Sequence, residues 1–240
     1  MTETTRDTDS AEIHHEHRDV AGGWLRPTVF GMMDGLVSNF ALIAGVAGAS
    51  ADRTAVSLAG LAGLVGGAFS MATGEYVSVA SQNESTAAEV AVERHELDVN
   101  ASAELAELTE LYVSRGVDRP LAEQVAEQLS RDPDQALKIH ALEELGVDPH
   151  SLPSPWTAAF SSLCAFAFGA LIPLLPFLCG VSGLWLPSLL AVVALFTAGA
   201  VAARWTSRNL LFSGTRQLVL GVVAAAVTYG VGTLFHATVG

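Results

Sequence analysis

Four long stretches of this chain are almost free of charge, and their composition predicts membrane-spanning helices. The first two contain a single charged residue each, Asp34 and Glu75, and the other two contain no Asp, Glu, Lys or Arg. In chain order, the stretches are residues 28–50, 54–80, 156–203 and 217–240. About 20 apolar residues of helix cross a bilayer, and glycines near residues 179–187 divide the third stretch into two, so the pattern predicts five spans.

The segment between the second and third spans, residues 81–154, is polar, poor in glycine and rich in Ala, Leu and Glu. Such a composition predicts a soluble helical domain, in which Pro, Gly, Asn or Asp bounds each helix. We expect helices near residues 85–97, 101–115, 120–130 and 133–145. No obvious helix breaker lies between Gly74 and Leu97. The second span is therefore predicted to continue into this domain as one rod.

The basic residues predict the orientation of the spans. With the amino terminus in the cytoplasm, all of the 12 Lys and Arg residues except Arg53 fall on the cytoplasmic side, in agreement with the positive-inside rule. The charged amino-terminal region precedes a stretch long enough to span, so no cleavable leader is predicted. The expected plan is a disordered cytoplasmic tail (1–26), spans one and two (27–80), a cytoplasmic acidic helical domain (81–154) and spans three to five (155–240).

Several classes of protein are disfavoured by what the sequence lacks. The two cysteines, Cys164 and Cys179, are too few for a disulfide framework or a zinc motif, so we expect them to serve packing. No phosphate-binding loop of the Walker A type occurs, which argues against an ATP-driven pump. A membrane-bound di-iron enzyme would need paired Glu-x-x-His motifs, but such a spacing occurs here between Glu12 and His15, in the tail.

The carboxylates within the spans need a special explanation, because each costs at least about 2.5 kcal/mol in hydrocarbon unless it has a partner, a proton or a cation. At about 1.5 Å per residue, Asp34, Met71 and Glu75 lie at one depth of two antiparallel helices. Ser38 follows Asp34 by four residues, as Glu75 follows Met71. A thioether beside two carboxylates suits a borderline transition metal such as Fe(II). The alternative is that Met71 faces lipid and that Asp34 caps a neighbouring helix.

The acidic domain carries most of the net charge of −13, and three of its residue pairs have a spacing that puts both members on one side of a helix. The pairs are Glu93 with Glu96, Glu104 with Glu107, and His140 with Glu144. Carboxylates and an imidazole that converge from several helices would bind Fe(II) or Mn(II). The alternative is that they form a solvated face.

Other acidic residues are expected at the surface: Glu89, Glu110, Glu123 and Glu127. A group of histidines in the tail is expected to belong to a disordered segment rather than to a metal site: His14, His15 and His17 with Glu16.

Three segments of the chain resemble the vacuolar iron transporter family, which includes yeast calcium-cross-complementing vacuolar transporters and nodulin-like plant proteins. They are DGLVSNFALIAGVAGA at residues 34–49, GAFSMATGEYVSVASQNE at residues 67–84, and EELG at residues 143–146. The resemblance covers nearly the whole chain. It implies a homodimer of five-helix subunits, with a pathway at the dimer interface that carries Fe(II) or Mn(II) in exchange for protons.

The resemblance also implies roles for individual residues. Asp34 and Met71 match pathway residues of the family. The family's metal-binding glutamates match Glu93, Glu96, Glu104, Glu107 and Glu144. Relatives can carry a methionine pair where this chain has His140 and Ala141, so an imidazole that titrates near neutral pH replaces a soft sulfur.

The fold expected from the sequence is an all-α membrane protein whose cytoplasmic helical metal-binding domain is inserted between the second and third spans. We expect a secondary transporter, not an enzyme, that exports Fe(II), Mn(II) or both from the cytoplasm, since protons compete with a metal for its ligands. Expected partners are a second copy of the chain, the lipid bilayer, divalent metal ions and protons, with no nucleic acid and no prosthetic group. Zn(II) and Co(II) are further metals that the sites could hold.

The acidic composition and the lack of a recognised vacuolar sorting signal favour a bacterial plasma membrane, or the vacuolar membrane in a eukaryote. The alternative function is a membrane-anchored metal sensor or scaffold without transport.

Overall fold

The computed structural model describes residues 23–49, 52–206 and 208–239. These residues form eight α-helices and no strand. The helices are α1 (Leu25–Ala49), α2 (Arg53–Val99), α3 (Ala101–Ser114), α4 (Arg119–Leu129), α5 (Pro133–His140), α6 (Pro155–Leu178), α7 (Trp185–Thr206) and α8 (Leu210–Val239). Most of the predicted tail, with its histidine group at residues 14–17, lies outside the described residues.

Five of the described helices, α1, α2, α6, α7 and α8, are long and apolar enough to cross a membrane. The predicted number of spans and the all-α class are thereby confirmed. The last helix begins earlier than the charge-free stretch that starts at residue 217. The reason is a capping residue, since the side-chain oxygen of Asn209 accepts hydrogen bonds from the backbone N–H groups of Leu211 (2.9 Å) and Phe212 (3.3 Å). Arg216 therefore lies within α8.

Helix α2 is a single rod of 47 residues, about 70 Å long at 1.5 Å per residue. It begins where the side chain of Asp52 accepts hydrogen bonds from the backbone N–H groups of Thr54 (3.0 Å) and Ala55 (3.2 Å), as an N-cap does. It ends at Asn100. The predicted continuation of the second span is confirmed, and the separate helix expected at residues 85–97 is the last part of this rod.

Helix α1 is the central helix of the membrane part, packed against α2, α6 and α8. Its contact with α6 is close because glycines replace side chains there. A Cβ atom added at Gly31 would lie 2.8 Å from the carbonyl oxygen of Ser162, and one added at Gly35 would overlap the carbonyl oxygen of Phe166. Small residues at such spacing let membrane helices approach closely. At Gly31 and Gly35 the partner in this close approach is α6.

The expected packing role of the cysteines is wrong. Cys164 and Cys179 are both free and exposed. Helix α6 buries a different face, which includes Phe166, Ala170 and Leu174, and that face is the one that contacts α1 and α2.

The polar helical segment, residues 81–154, contains the end of α2 and the short helices α3 to α5. The predicted helix over residues 133–145 has the expected extent but not a uniform geometry. It is α-helical as far as His140 and continues as a π-helical turn, Ala141–Leu145. The turn ends at Gly146, whose φ of +68° lies in the left-handed region that favours glycine. The segment returns beside α2, where the side-chain amide of Asn83 donates a hydrogen bond to the carbonyl of Pro153 (2.9 Å).

Candidate functional site

A cavity of about 480 Å³ lies between α1 and α2, with Phe166 contributed by α6. We call it the membrane cavity. Its lining includes all four residues that the sequence analysis placed in a pathway: Asp34, Ser38, Met71 and Glu75. Two antiparallel helices therefore bring these residues to one wall, as their matching depths predict.

Glu75 is buried in the membrane cavity and already has a cationic partner. Its Oε2 atom lies 2.8 Å from Nη2 of Arg26, and the side chain of Glu75 is 8% exposed while that of Arg26 is 69% exposed. Arg26 lies in the first turn of α1 and reaches across to α2. A buried carboxylate without a partner is strongly unfavourable, so this ion pair stabilises Glu75 at its position.

Asp34 is different, because no described cation lies within ion-pair distance of its carboxylate. The described helices with a side-chain cap are capped by Asp52, Asp132, Ser154 and Asn209, so a capping role does not account for Asp34. The hydroxyl of Ser38 donates to the backbone carbonyl of Asp34 (2.5 Å), which leaves the aspartate side chain free to face the cavity.

Met71 also lies where a ligand could reach it. Its side chain packs against a buried cluster of Ala68, Phe166 and Ala170 and lines the membrane cavity. Because it is held on one side by this cluster, Met71 is not simply a lipid-facing residue. A thioether is therefore available in the same cavity as two carboxylates.

A second site lies in the polar helical segment, where side chains from α2, α3, α5 and the π-helical turn meet. We call it the carboxylate–histidine cluster, and its members are Glu93, Glu104, His140 and Glu144. One ligand atom of each residue lies within 4.8 Å of all the others. Four groups at such distances could bind a single divalent ion.

His140 lies at the centre of this cluster. Its Nδ1 atom is 2.9 Å from Oε1 of Glu93, 3.0 Å from Oε1 of Glu144 and 3.6 Å from Oε2 of Glu104. The imidazole is fully buried, and its Nε2 atom has no hydrogen-bond partner among the described residues. One ring N–H cannot satisfy three carboxylates, whereas a cation between them could.

Two adjacent glutamates of the π-helical turn have different partners. The turn presents Glu144 to His140, while the neighbouring Glu143 forms an ion pair with Arg115 and accepts a hydrogen bond from the hydroxyl of Tyr112 (3.4 Å). Inserted π turns are frequent at functional sites. The adjacent glutamates of the EELG sequence thus have separate roles, one in the cluster and one in holding α3 to the turn.

The cluster disfavours a full set of negative charges. Burial raises the pKa of Glu104 above its ordinary value of 4.5, the carboxylate of Glu107 raises it further, and the nearby His140 opposes both effects. A raised pKa favours the protonated form of a carboxyl group, so a metal ion that binds here competes with protons.

Two predicted ligands lie outside the compact group. Glu96 accepts a hydrogen bond from the side-chain amide of Asn100 (2.5 Å) at the corner between α2 and α3, and Glu107 is exposed. Both carboxylates are near enough to raise the pKa of Glu104. The structure therefore brings together four of the six predicted ligands and places the other two around them.

Comparison with known proteins agrees with this arrangement. The model of the VIT family matches residues 25–233, which include every residue of the membrane cavity and of the cluster. The chain belongs to the VIT family. Among the relatives of this VIT family chain is a protein of Acanthamoeba castellanii named vacuolar iron transporter, 39% identical over 91% of this chain and 82% of its own length. Another is vacuolar iron transporter 1 of Oryza sativa subsp. japonica, 31% identical over 93% of this chain and 91% of its own length. Vacuolar iron transporter 1 of Arabidopsis thaliana is 29% identical over 90% of this chain and 88% of its own length. These matches and the five apolar helices identify an integral membrane protein.

Two residues of the membrane cavity in this VIT family chain were not predicted from the sequence. Arg26 was assigned to the positive-inside pattern, although its place just before the first acidic position was a usable signal. Asn39 gave no signal, because an asparagine in an apolar helix can face any neighbour. Its side-chain N–H group donates to the carbonyl of Ala170 (2.8 Å), and a Cβ atom at Gly63 would lie 2.7 Å from its Oδ1 atom. This contact explains why glycine suits position 63.

Proposed function

We propose that this chain is a homodimeric, proton-coupled transporter that exports Fe(II), Mn(II) or both from the cytoplasm. The observation that carries the proposal is the shared cavity of Asp34, Met71 and Glu75 within the membrane part. Ionisable residues inside spans mark ion pathways. A mixed set of oxygen and sulfur ligands suits Fe(II) better than Mg²⁺ or Ca²⁺, and the relatives named vacuolar iron transporter support the same cargo.

The two sites are connected by a rigid element. Met71 and Glu75 in the cavity and Glu93 in the cluster belong to the same helix, α2. Glu75 and Glu93 are about 27 Å apart along its axis at 1.5 Å per residue. We infer that the cluster collects the metal on the cytoplasmic side and that the cavity passes it through the membrane. The cytoplasmic position of the polar helical segment rests on the distribution of basic residues.

The open face of α2 supports a second copy. Gly66 and Gly74 are exposed, and a Cβ atom at either would meet nothing among the described residues. A membrane cavity lined by such a face can be completed by another protomer, because small residues let two helices approach closely. In the resulting dimer, Asp34 and Met71 from both copies would surround one pathway.

Proton coupling follows from the chemistry of the ligands. Carboxylates and imidazole bind metal after losing a proton, so protons compete with metal on either side of the membrane. An opposing pH gradient would then drive export without ATP. The alternative, a membrane-anchored sensor or scaffold, is supported by the compact cluster alone, which needs no pathway.

Mn(II) flux into vesicles that contain the purified full chain separates the two functions. We expect Asp34→Ala and Met71→Ala to reduce flux to the background of empty vesicles, because each removes a ligand from the cavity. The matched control is Met33→Ala, since Met33 is on α1 but lines a different, apolar groove. Mn(II) binding to the cluster should survive in all three variants. Undiminished flux in Asp34→Ala and Met71→Ala would reject the transport pathway and favour the sensor.

Collapse of the pH gradient tests proton coupling separately. It should slow wild-type flux, and flux that is insensitive to the gradient would reject proton coupling.

A further inference from the structure

The ion pair between Arg26 and Glu75 raises a question that the proposed pathway leaves open. Nη2 of Arg26 lies 2.8 Å from Oε2 of Glu75, so a protein cation already occupies one of the two carboxylates that line the cavity. The other carboxylate, Asp34, has no described cation within ion-pair distance. A metal that enters the cavity must either pass Glu75 without binding it or compete with Arg26.

The two partners of this ion pair differ strongly in their access to water. The side chain of Arg26 is 69% exposed and that of Glu75 is 8% exposed. If they separate, the guanidinium group stays hydrated at the start of α1, while the carboxylate remains buried without compensation. The free-energy cost of separation therefore falls on Glu75. An incoming cation that binds Glu75 removes that cost.

The charged groups of the cavity also favour competition between Arg26 and an incoming metal ion. The lining of the cavity contains one positive group, Arg26, and two negative groups, Asp34 and Glu75. A divalent cation that binds Glu75 takes the carboxylate that Arg26 neutralises, so the metal and the guanidinium group compete for one buried negative group in each protomer.

We propose that Arg26 is a displaceable counter-cation: it neutralises Glu75 while the cavity is empty and leaves when a divalent metal ion binds there. This inference rests on the proposed function and deepens it. Arg26 is a positioning residue in this scheme, because it sets the charge of Glu75 and does not contact the metal. It prevents the empty pathway from holding an uncompensated carboxylate, and it weakens metal binding enough for the ion to be released.

Transport kinetics of charge-changing variants test the competition. Arg26→Gln should lower the KM for Mn(II) by about tenfold, equivalent to about 1.4 kcal/mol, without raising the maximal rate, because the metal no longer competes with a guanidinium group for Glu75. The effect should vanish in the Glu75→Gln background, where Arg26→Gln should change the KM by less than about twofold. Arg26→Lys keeps the charge and should have a KM close to that of wild type. An unchanged KM in Arg26→Gln, or an equal decrease in both backgrounds, would overturn the proposal.

A second measurement follows the displacement itself. Lys138 is the single lysine of the chain, so Arg26→Lys in a Lys138→Arg background has one lysine side chain, at position 26. Mn(II) should speed acylation of this lysine by succinimidyl acetate about threefold or more, as measured by peptide mass spectrometry, because an ammonium group that leaves Glu75 loses the negative charge that favours its protonated, unreactive form. With Glu75→Gln added, acylation should be fast with and without Mn(II). The same slow rate with and without saturating Mn(II), in a variant that transports Mn(II), would show that the pair stays closed.

Failure of this inference can be distinguished from failure of the proposed function. If Asp34→Ala transports Mn(II) normally, the pathway itself is wrong. If Asp34→Ala is inactive but Arg26→Gln has a wild-type KM and lysine acylation ignores Mn(II), the pathway stands and the role of Arg26 is rejected. Arg26→Lys retains the ion pair, and the double variant Arg26→Gln/Glu75→Gln retains charge balance. The test therefore does not depend on the folding of a single variant.

Discussion

The membrane cavity and the carboxylate–histidine cluster use similar residues in opposite ways. The cluster gathers three carboxylates and an imidazole so that one ligand atom of each lies within 4.8 Å of the others. Asp34, Met71 and Glu75 line a cavity of about 480 Å³. The cluster is compact and comes from one chain, as a site that retains an ion must be. The cavity is wide and lies beside the open face of α2, as suits an ion that has to leave.

This difference indicates that charge compensation, rather than the number of carboxylates, separates the two sites. In the cavity, Arg26 supplies a cation from the protein itself. In the cluster, the group that lies against the carboxylates is the imidazole of His140, which carries a positive charge only when it is protonated. The empty cluster therefore depends on protons, and the empty cavity depends partly on an arginine. Variants that remove one group at a time test this difference between the two sites.

The largest effect on the cluster is expected from His140→Ala. It removes the atom on which three carboxylates converge, so the Kd for Mn(II) should rise about 100-fold, the upper range for disruption of a metal site. Flux at saturating Mn(II) should persist, because the cavity is untouched. Isothermal titration calorimetry on the purified full chain measures the first quantity, and vesicle flux measures the second.

Two controls define that result. His95→Ala removes an exposed histidine of the same helix as Glu93 and should leave the Kd unchanged. His140→Gln offers Mn(II) an amide oxygen, a type of ligand that suits this ion, and should restore part of the affinity. Wild-type affinity in His140→Ala would contradict the cluster as a binding site, and lost flux at saturating Mn(II) would show that the two sites do not act separately.

Much of the fold could be predicted because its causes are local. The spans follow from charge-free stretches, and the continuous rod α2 follows from the lack of a breaker between Gly74 and Leu97. The shared depth of Asp34, Met71 and Glu75 follows from helical rise alone. Such features need no knowledge of which helix packs against which.

The features that were missed depend on tertiary contacts. The pairing of Arg26 with Glu75 joins residues 49 positions apart on different helices. The π-helical turn that separates Glu143 from Glu144 has no sequence signature, and an i, i+4 spacing would describe an ordinary helix equally well. Cys164 was expected to pack, but which face of α6 is buried is determined by the glycines of α1. These outcomes require the three-dimensional arrangement.

An intermediate effect concerns the pH dependence of the cluster. Burial and neighbouring carboxylates raise the pKa of Glu104 above 4.5, so its protonated form is favoured in the folded chain. The stability that this protonation gives the metal-free protein is present below 4.5 and is lost as pH rises through the raised value. Metal binding has the opposite dependence, because Mn(II) requires the carboxylate.

We therefore expect the affinity for Mn(II) to increase by up to about tenfold per pH unit below the pKa of Glu104 and to level off as pH rises above it. Calorimetry of the full chain at a series of pH values measures this slope. Glu104→Gln should weaken binding and also flatten the slope. The control Glu110→Gln removes an exposed carboxylate that is paired with Arg119 and should change neither. Equal slopes in wild type and Glu104→Gln would show that another group controls the competition with protons.

The smallest effect should come from the two glutamates that the sequence counted as ligands but the structure places around the cluster. Glu96 is hydrogen-bonded to Asn100, and Glu107 is exposed. Each acts on a bound cation through solvent-screened attraction, which is weak for exposed groups, so Glu96→Gln and Glu107→Gln should each raise the Kd for Mn(II) by about twofold to threefold. High salt should reduce that difference, because it screens exposed charges more than buried ones. Glu123→Gln, on the exposed surface of α4, should have no effect at either salt concentration. A salt-independent loss of about 100-fold in Glu96→Gln or Glu107→Gln would instead identify a direct ligand, and the cluster would then have to rearrange around the metal to include it.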